Sequence, residues 1–164
     1  VDAPALTPLA AAVLHVDPPE RALAVECGDG DSALFLVREF PRARVRGVDR
    51  SERAVARASS RVGLDPEGRI AFKPGSPSTL PFPSEHFELV VLTDATPDPG
   101  ETARVLRPGG FLIVAETRPR REPFGLHGRL LKRRLLKHGF EPVLEERVGN
   151  GGFAVHRLDE QRHD

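Results

Sequence analysis

A short apolar run, Ala22-Leu23-Ala24-Val25, ends in the carboxylate of Glu26 and turns through Cys27-Gly28-Asp29-Gly30 into Asp31-Ser32-Ala33. Gly28 and Gly30 let a chain bend sharply and let a ligand lie against bare backbone. The first amides of the helix that follows point outward as unpaired donors. Glu26 at the strand tip selects among ligands, because a carboxylate there repels a pyrophosphate and attracts a cation. A second carboxylate, Asp49, closes Gly47-Val48-Asp49 about 20 residues beyond the turn, where its two oxygens can accept both hydroxyls of a ribose. Its alternative reading is a solvated loop aspartate. Residues of these types at this spacing form a cofactor pocket.

Two cofactors fit that pattern. Gly28-x-Gly30-x-x-Ala33 satisfies the relaxed dinucleotide fingerprint, with Asp49 as its ribose ligand. The cationic ammonium and sulfonium of S-adenosylmethionine fit Glu26 better than a dinucleotide does. Cys27 is the only cysteine, which excludes an internal disulfide and a cysteine-based metal cluster and suits a reducing compartment.

The elements that must position these residues follow from periodicity. The chain has 164 residues, the size of one compact domain spanning residues 1–158, with 159–164 as a polar tail. Its 24 basic and 24 acidic side chains cancel, so no overall field advertises nucleic acid or a membrane as the main partner. No apolar run approaches the roughly 18 to 20 residues of a membrane span and no signal peptide is evident, so a cytoplasmic location is expected. Pro4 to His15 spaces Leu6, Leu9, Ala10, Val13 and Leu14 as a covering helix. Strands are then expected over 22–26, 44–49 and 69–73, alternating with helices over 30–39 and 52–61. Such alternation predicts right-handed crossovers and a parallel sheet. Phe87 to Leu92 is nearly all apolar, as in a strand buried on both faces. A short helix over 100–106 is expected to close on Arg107-Pro108-Gly109-Gly110, with glycine in the left-handed cap, before a strand over 111–116. A basic helix over 126–138 places Leu126, Leu130, Leu131 and Leu135 on one side. Two strands, 140–147 and 153–158, flank a turn at Gly149-Asn150-Gly151-Gly152. A dinucleotide fold does not need this terminal hairpin.

Several separated segments now resemble the class I S-adenosylmethionine-dependent methyltransferases, especially the branch acting on small molecules and quinone precursors. Val25-Glu26-Cys27-Gly28-Asp29-Gly30 is similar to that family's first motif, and Gly47-Val48-Asp49-Arg50-Ser51 to its second-strand motif. Leu80-Pro81-Phe82-Pro83 with Phe87-Glu88-Leu89-Val90-Val91 resembles its approach to the fourth strand. Arg104 to Leu112 is similar to its fourth-helix and fifth-strand signature. The resemblance implies a Rossmann-like α/β fold with helices on both faces of a seven-stranded, mostly parallel sheet. Its strand order would be 3-2-1-4-5-7-6, with strand 7 antiparallel. It also implies S-adenosylmethionine as cofactor, with Glu26, Gly28 and Gly30 around the methionine part, Asp49 on the ribose, Arg50 beside the adenine, and Thr93 at the tip of the fourth strand. The positions of the family's adenine contacts fall on Ser76 and Pro77, and proline has no amide hydrogen to donate. Ser32 replaces the third glycine of the first motif.

Methyl transfer from a sulfonium is an in-line displacement, so the protein must position a nucleophile and, for a hydroxyl, take its proton. No metal is needed. Asp94, directly beyond the fourth strand, is the candidate catalytic base, against an alternative of ordinary loop or capping aspartate. His127 and Glu116 are weaker candidates, and His15 and His86 fit no pattern. The loop from Thr93 to Pro99 is short and lacks the Asn-Pro-Pro-aromatic pattern that holds a flipped base. With a short leader as well, water must be excluded by the substrate or by the partner subunit of a homodimer. The basic run Arg118, Arg120, Arg121, Arg129, Lys132, Arg133, Arg134 and Lys137, opposed locally by Glu122 alone, reads as a solvated face whose stems cover apolar surface. No exposed aromatic residues are expected to interleave with it to stack bases. The expected partner is therefore a small methyl acceptor, with no membrane and no nucleic acid. The alternative is a non-catalytic methyltransferase-like module, supported by Pro77 and the short loop; a nicotinamide-dependent oxidoreductase ranks third.

Overall fold

A computed structural model describes residues 6–118 and 126–161. Arg120, Arg121 and Glu122 of the basic run lie outside the described residues, as does the His127 side chain. The seven strands are β1 (Arg21–Val25), β2 (Arg44–Asp49), β3 (Ile70–Pro74), β4 (Phe87–Thr93), β5 (Leu106–Glu116), β6 (Phe140–Val148) and β7 (Gly151–Leu158). They form one sheet in the order β3-β2-β1-β4-β5-β7-β6. β1 to β5 are mutually parallel, while β7 runs antiparallel to both β5 and β6. The helices are α1 (Thr7–Ala12, continued by a 3-10 turn over Val13–His15), α2 (Asp31–Glu39), α3 (Glu52–Val62), α4 (Pro99–Val105) and α5 (Leu126–Lys137).

Side-chain alternation along the strands builds two cores. Ala22, Ala24, Leu89, Val91, Ile113 and Val155 meet Leu9, Val13 and Leu36 on the face covered by α1 and α2. Leu23, Val25, Val90, Leu92, Leu112 and Val114 meet Ala103, Val105 and Leu135 on the face covered by α4 and α5. β4, apolar on both sides, lies between β1 and β5. The chain order reverses between β1 and β4, and a crevice opens there at the carboxyl ends of parallel strands. Glu26, Asp49, Ser76 and Asp94 all follow or end strands at that edge.

Three local expectations are corrected. Arg107-Pro108-Gly109-Gly110 does not cap α4, because Leu106 already has extended backbone (ψ 142°) and opens β5 opposite Phe87. Pairing resumes only at Phe111 opposite Leu89, so the four residues form an irregularity in the strand, with Gly109 taking a φ of 83°. The terminal turn is Gly149-Asn150 alone, since Gly151 and Gly152 pair with Val148 and Arg147 inside the hairpin. Leu14 and Leu130 do not reach the core, being 78% and 53% exposed, whereas Leu135, expected on the same side of α5 as Leu130, is buried.

The segment before β4 is tied to α4 by one ion pair. Arg104 donates to Glu101 at 2.5 Å and to the carbonyls of Phe82 and Leu80, while Glu101 accepts the Leu80 amide at 2.7 Å. The hydrogen bond from Arg104, reinforced by the Leu80 amide, lowers the Glu101 carboxyl from its ordinary value against the opposing effect of burial. A carboxylate whose folded-state pKa is depressed stabilises the fold above its unfolded pKa, and that stability is lost as pH falls through the folded value. Glu101→Gln is therefore expected to lower the melting temperature at neutral pH and to flatten its decline on acidification. Thermal melts of both proteins across the acid range measure this.

Candidate functional site

Left-handed backbone shapes the turn after β1. Glu26 has a φ of 55°, Gly28 of 54° and Gly30 of 95°, and only the two glycines adopt such angles freely. The turn is held by Cys27 N donating to Val48 O at 3.0 Å and Gly30 N donating to Cys27 O at 2.9 Å. Asp49 then joins the tips of β1 and β2: its Oδ2 accepts the Gly28 amide and its Oδ1 the Ser51 amide, each at 2.9 Å. Ser51 in turn caps α3 by accepting the Ala54 amide at 3.1 Å.

The charges on the turn are compensated locally. Arg50 donates to Glu26 at 2.7 Å, and from α3 Arg57 holds Asp29 at 2.8 Å and Arg61 holds Asp31 at 2.6 Å. Neither α3 arginine was singled out from the sequence, although both lie on one side of that helix, four residues apart.

The two motif glycines do different work. A Cβ added at Gly28 would meet no atom within 4 Å, so the backbone there faces open space. A Cβ at Gly30 would meet the Phe72 ring at 3.0 Å and Ala58 at 3.1 Å, and one at Gly47 would meet Phe72 at 2.5 Å. Gly30 and Gly47 thus make room for Phe72, an aromatic residue of β3 that sequence reading passed over. Cys27 lies buried beside them, and burial, followed by the charges of Asp49 and Glu26, pushes its thiol up to about 12. It is no nucleophile near neutral pH.

Ser76 and Pro77 begin a tight turn beyond β3. The Ser76 carbonyl accepts the Thr79 amide at 3.1 Å, and Pro77 occupies the second position, which suits its fixed φ. Pro77 is buried, and the Gly75 amide donates to the Asp49 carbonyl at 3.0 Å, so this turn is anchored beside Asp49. Hydrogen bonds therefore link Glu26, Gly28, Asp49 and Arg50 with the start of the Ser76 segment along the tips of β1, β2 and β3.

Asp94 belongs to a different connection. Its φ is 56°, its amide donates to Ala115 O at 2.9 Å, and its carboxylate accepts the Thr117 amide at 2.9 Å and the Thr117 hydroxyl at 2.6 Å. Both oxygens thus clamp the end of β4 to the end of β5. Thr93, one residue earlier, has a buried hydroxyl with no hydrogen-bond partner among the described residues. Glu116 is buried at the end of β5. The imidazole of His86 stacks on Phe82 at the opposite, amino edge of the sheet. His15 stacks on Phe153.

Comparison with known proteins agrees with this geometry. Residues 22–110, more than half of the chain, match the methyltransferase domain family. The chain is 32% identical over 108 residues to a fatty-acid O-methyltransferase of Mycolicibacterium smegmatis, covering 62% of this chain and 38% of that protein. It is 31% identical over 163 residues to the 27-O-demethylrifamycin SV methyltransferase of Amycolatopsis mediterranei, covering 94% of this chain and 55% of that protein. The chain thus spans about half or less of the length of these relatives. Its fold superposes on the crystal structure of an S-adenosylmethionine-dependent methyltransferase from Mesorhizobium loti with a TM-score of 0.72 at 17% identity, covering 95% of this chain and 99% of that one. The matched segment contains the whole Gly28 turn, the Asp49 bridge and the reversal between β1 and β4, and the chain belongs to the methyltransferase domain family, in the class I group that depends on S-adenosylmethionine.

Proposed function

We propose that this chain binds S-adenosylmethionine over the tips of β1 and β2 and transfers its methyl group to a small-molecule acceptor. The observation that supports the reading best is the open space at Gly28, where left-handed backbone lies between the carboxylates of Glu26 and Asp49 and no atom would meet an added Cβ. When bound, the cofactor supplies a methyl group on a sulfonium, open to in-line displacement.

The chain's own residues would bind and orient. Glu26 places negative charge beside the cationic methionine end, although Arg50 already occupies one of its oxygens. Each Asp49 oxygen keeps a lone pair beyond its backbone contact, which suits a ribose diol. Gly30 supports this site from below through Phe72. Arg50 and Ser76 would flank the adenine side, and the Thr93 hydroxyl, without a partner among the described residues, gives the crevice a polar group. Asp94 is assigned as base or, through Thr117, as a residue positioning the acceptor side. The two relatives, named for a fatty-acid oxygen and for a rifamycin, favour an oxygen on a largely apolar acceptor. The buried Cys27 thiol suits a cytoplasmic setting.

A second reading, a methyltransferase-like module with weak or no cofactor binding, is favoured by Pro77, which has no amide hydrogen at an adenine position. Calorimetric titration with S-adenosylmethionine, S-adenosylhomocysteine and NAD separates the two. Binding of the first two in the micromolar range without NAD binding is expected; silence from all three would leave the module.

A further inference from the structure

We infer that the outward face of α5 docks the protein on an anionic lipid surface. The helix contains no acidic residue, and Arg129, Arg133, Arg134 and Lys137 are all exposed. None of these four forms an ion pair among the described residues. A helical period of 3.6 residues places them on one arc of a rod about 18 Å long. The helix dipole accounts for cations in the last turn, at Arg134 and Lys137, but not for Arg129 and Arg133 further back.

The surroundings do not neutralise this arc. Lys132, the helix's remaining lysine, binds Glu145 of β6 at 2.6 Å and so cancels the acid that faces α5. Glu141 and Glu146 pair in register with Arg157 and Phe153, on the face of the hairpin turned toward α1. Arg147, opposite Gly152, lies on the α5 side and is exposed, which extends the basic surface.

Leu130 and Leu136 decide the kind of polyanion. They are 53% and 58% exposed; Leu136 lies at one border of the cationic arc and Leu130 within it, between Lys137 and Arg134, while among the described leucine side chains of the helix only Leu135 is fully buried. A convex basic face that also carries exposed leucines fits a bilayer, whose headgroups take the charges and whose acyl boundary takes the apolar side chains. A nucleic acid would reward aromatic residues for stacking, and this face has none. No described helix is long and apolar enough to cross a membrane, so the association is peripheral. The sequence alone favoured a merely solvated face because no exposed aromatic residues interleave with the charges, an argument against nucleic acid that does not bear on a lipid surface.

The test requires no cofactor and does not depend on methyl transfer. The full chain is sedimented with vesicles of phosphatidylcholine alone and of phosphatidylcholine mixed with phosphatidylglycerol, at low and physiological ionic strength, with fluorescent polyuridylate as a competing arm. Expected is salt-sensitive binding to the anionic vesicles only, weakened about 25-fold or more by Arg133→Glu with Lys137→Glu, at about fivefold for each cation removed. Leu130→Ser with Leu136→Ser is expected to remove the binding that survives physiological salt. If the charge reversal does not fold, Arg129→Gln with Arg133→Gln reads the same loss. Failure of the folded protein to bind anionic vesicles, binding unchanged in the charge variants, or tighter binding to polyuridylate would each overturn the inference.

Discussion

Asp49→Ala is expected to weaken binding of S-adenosylmethionine about thirtyfold and also to lower the melting temperature. The wild-type carboxylate accepts the part-buried Gly28 amide and the Ser51 amide, so alanine removes the bridge between the β1 turn and the start of α3. Hydrogen bonds to a charged acceptor contribute about 1.5 to 3 kcal/mol each, the exposed Ser51 bond less, which sets a stability loss of roughly 2 kcal/mol. Loss of both ribose acceptors costs a similar amount again, or about thirtyfold in affinity. Asp49→Asn separates these effects. Asparagine has one carbonyl oxygen, so one of the two backbone amides must face its NH2 group, and about half of the stability loss is expected. Its single oxygen also leaves the diol half-held. Calorimetry on each variant, with melting curves to confirm folding at the titration temperature, measures both quantities. An Asp49→Ala protein that is folded and binds as tightly as wild type would remove Asp49 from the cofactor site.

What the sequence carried well is what depends on local pattern. The run from Phe87 to Leu92 reads as a central strand because it is apolar on both faces, and β4 indeed lies between β1 and β5. Features that depend on partners distant in sequence were not legible. That Gly30 also makes room for the Phe72 ring, 3.0 Å from the position of its missing Cβ, shows only in the folded chain. Pro108-Gly109-Gly110 suits a helix cap and a strand bulge equally well, and only the pairing of Leu106 with Phe87 decides between them. In α5, leucines recur around most of the helix, so the buried side follows from packing against β6 and α4 and not from periodicity.

Asp94 shows the same limit with a larger consequence, because its contact with Thr117 spans 23 residues and exists only once β4 and β5 are paired. Two substitutions distinguish a general base from a clamp. Asparagine keeps the clamp: its oxygen accepts the Thr117 amide, its NH2 donates to the Thr117 hydroxyl, and it tolerates the φ of 56°. Alanine loses both bonds and fits that backbone poorly, for an expected loss of about 2 to 3 kcal/mol. A clamp therefore predicts that Asp94→Asn melts near wild type and keeps its rate within about tenfold, while Asp94→Ala loses stability and raises KM for the acceptor. A general base predicts the opposite pattern in the rate, with both variants slowed by about 10² to 10⁴ in kcat and the acid limb of the pH profile lost. With both carboxylate oxygens already engaged by Thr117, the clamp is the expected result. A folded Asp94→Asn protein as slow as Asp94→Ala would assign the proton transfer to Asp94 instead.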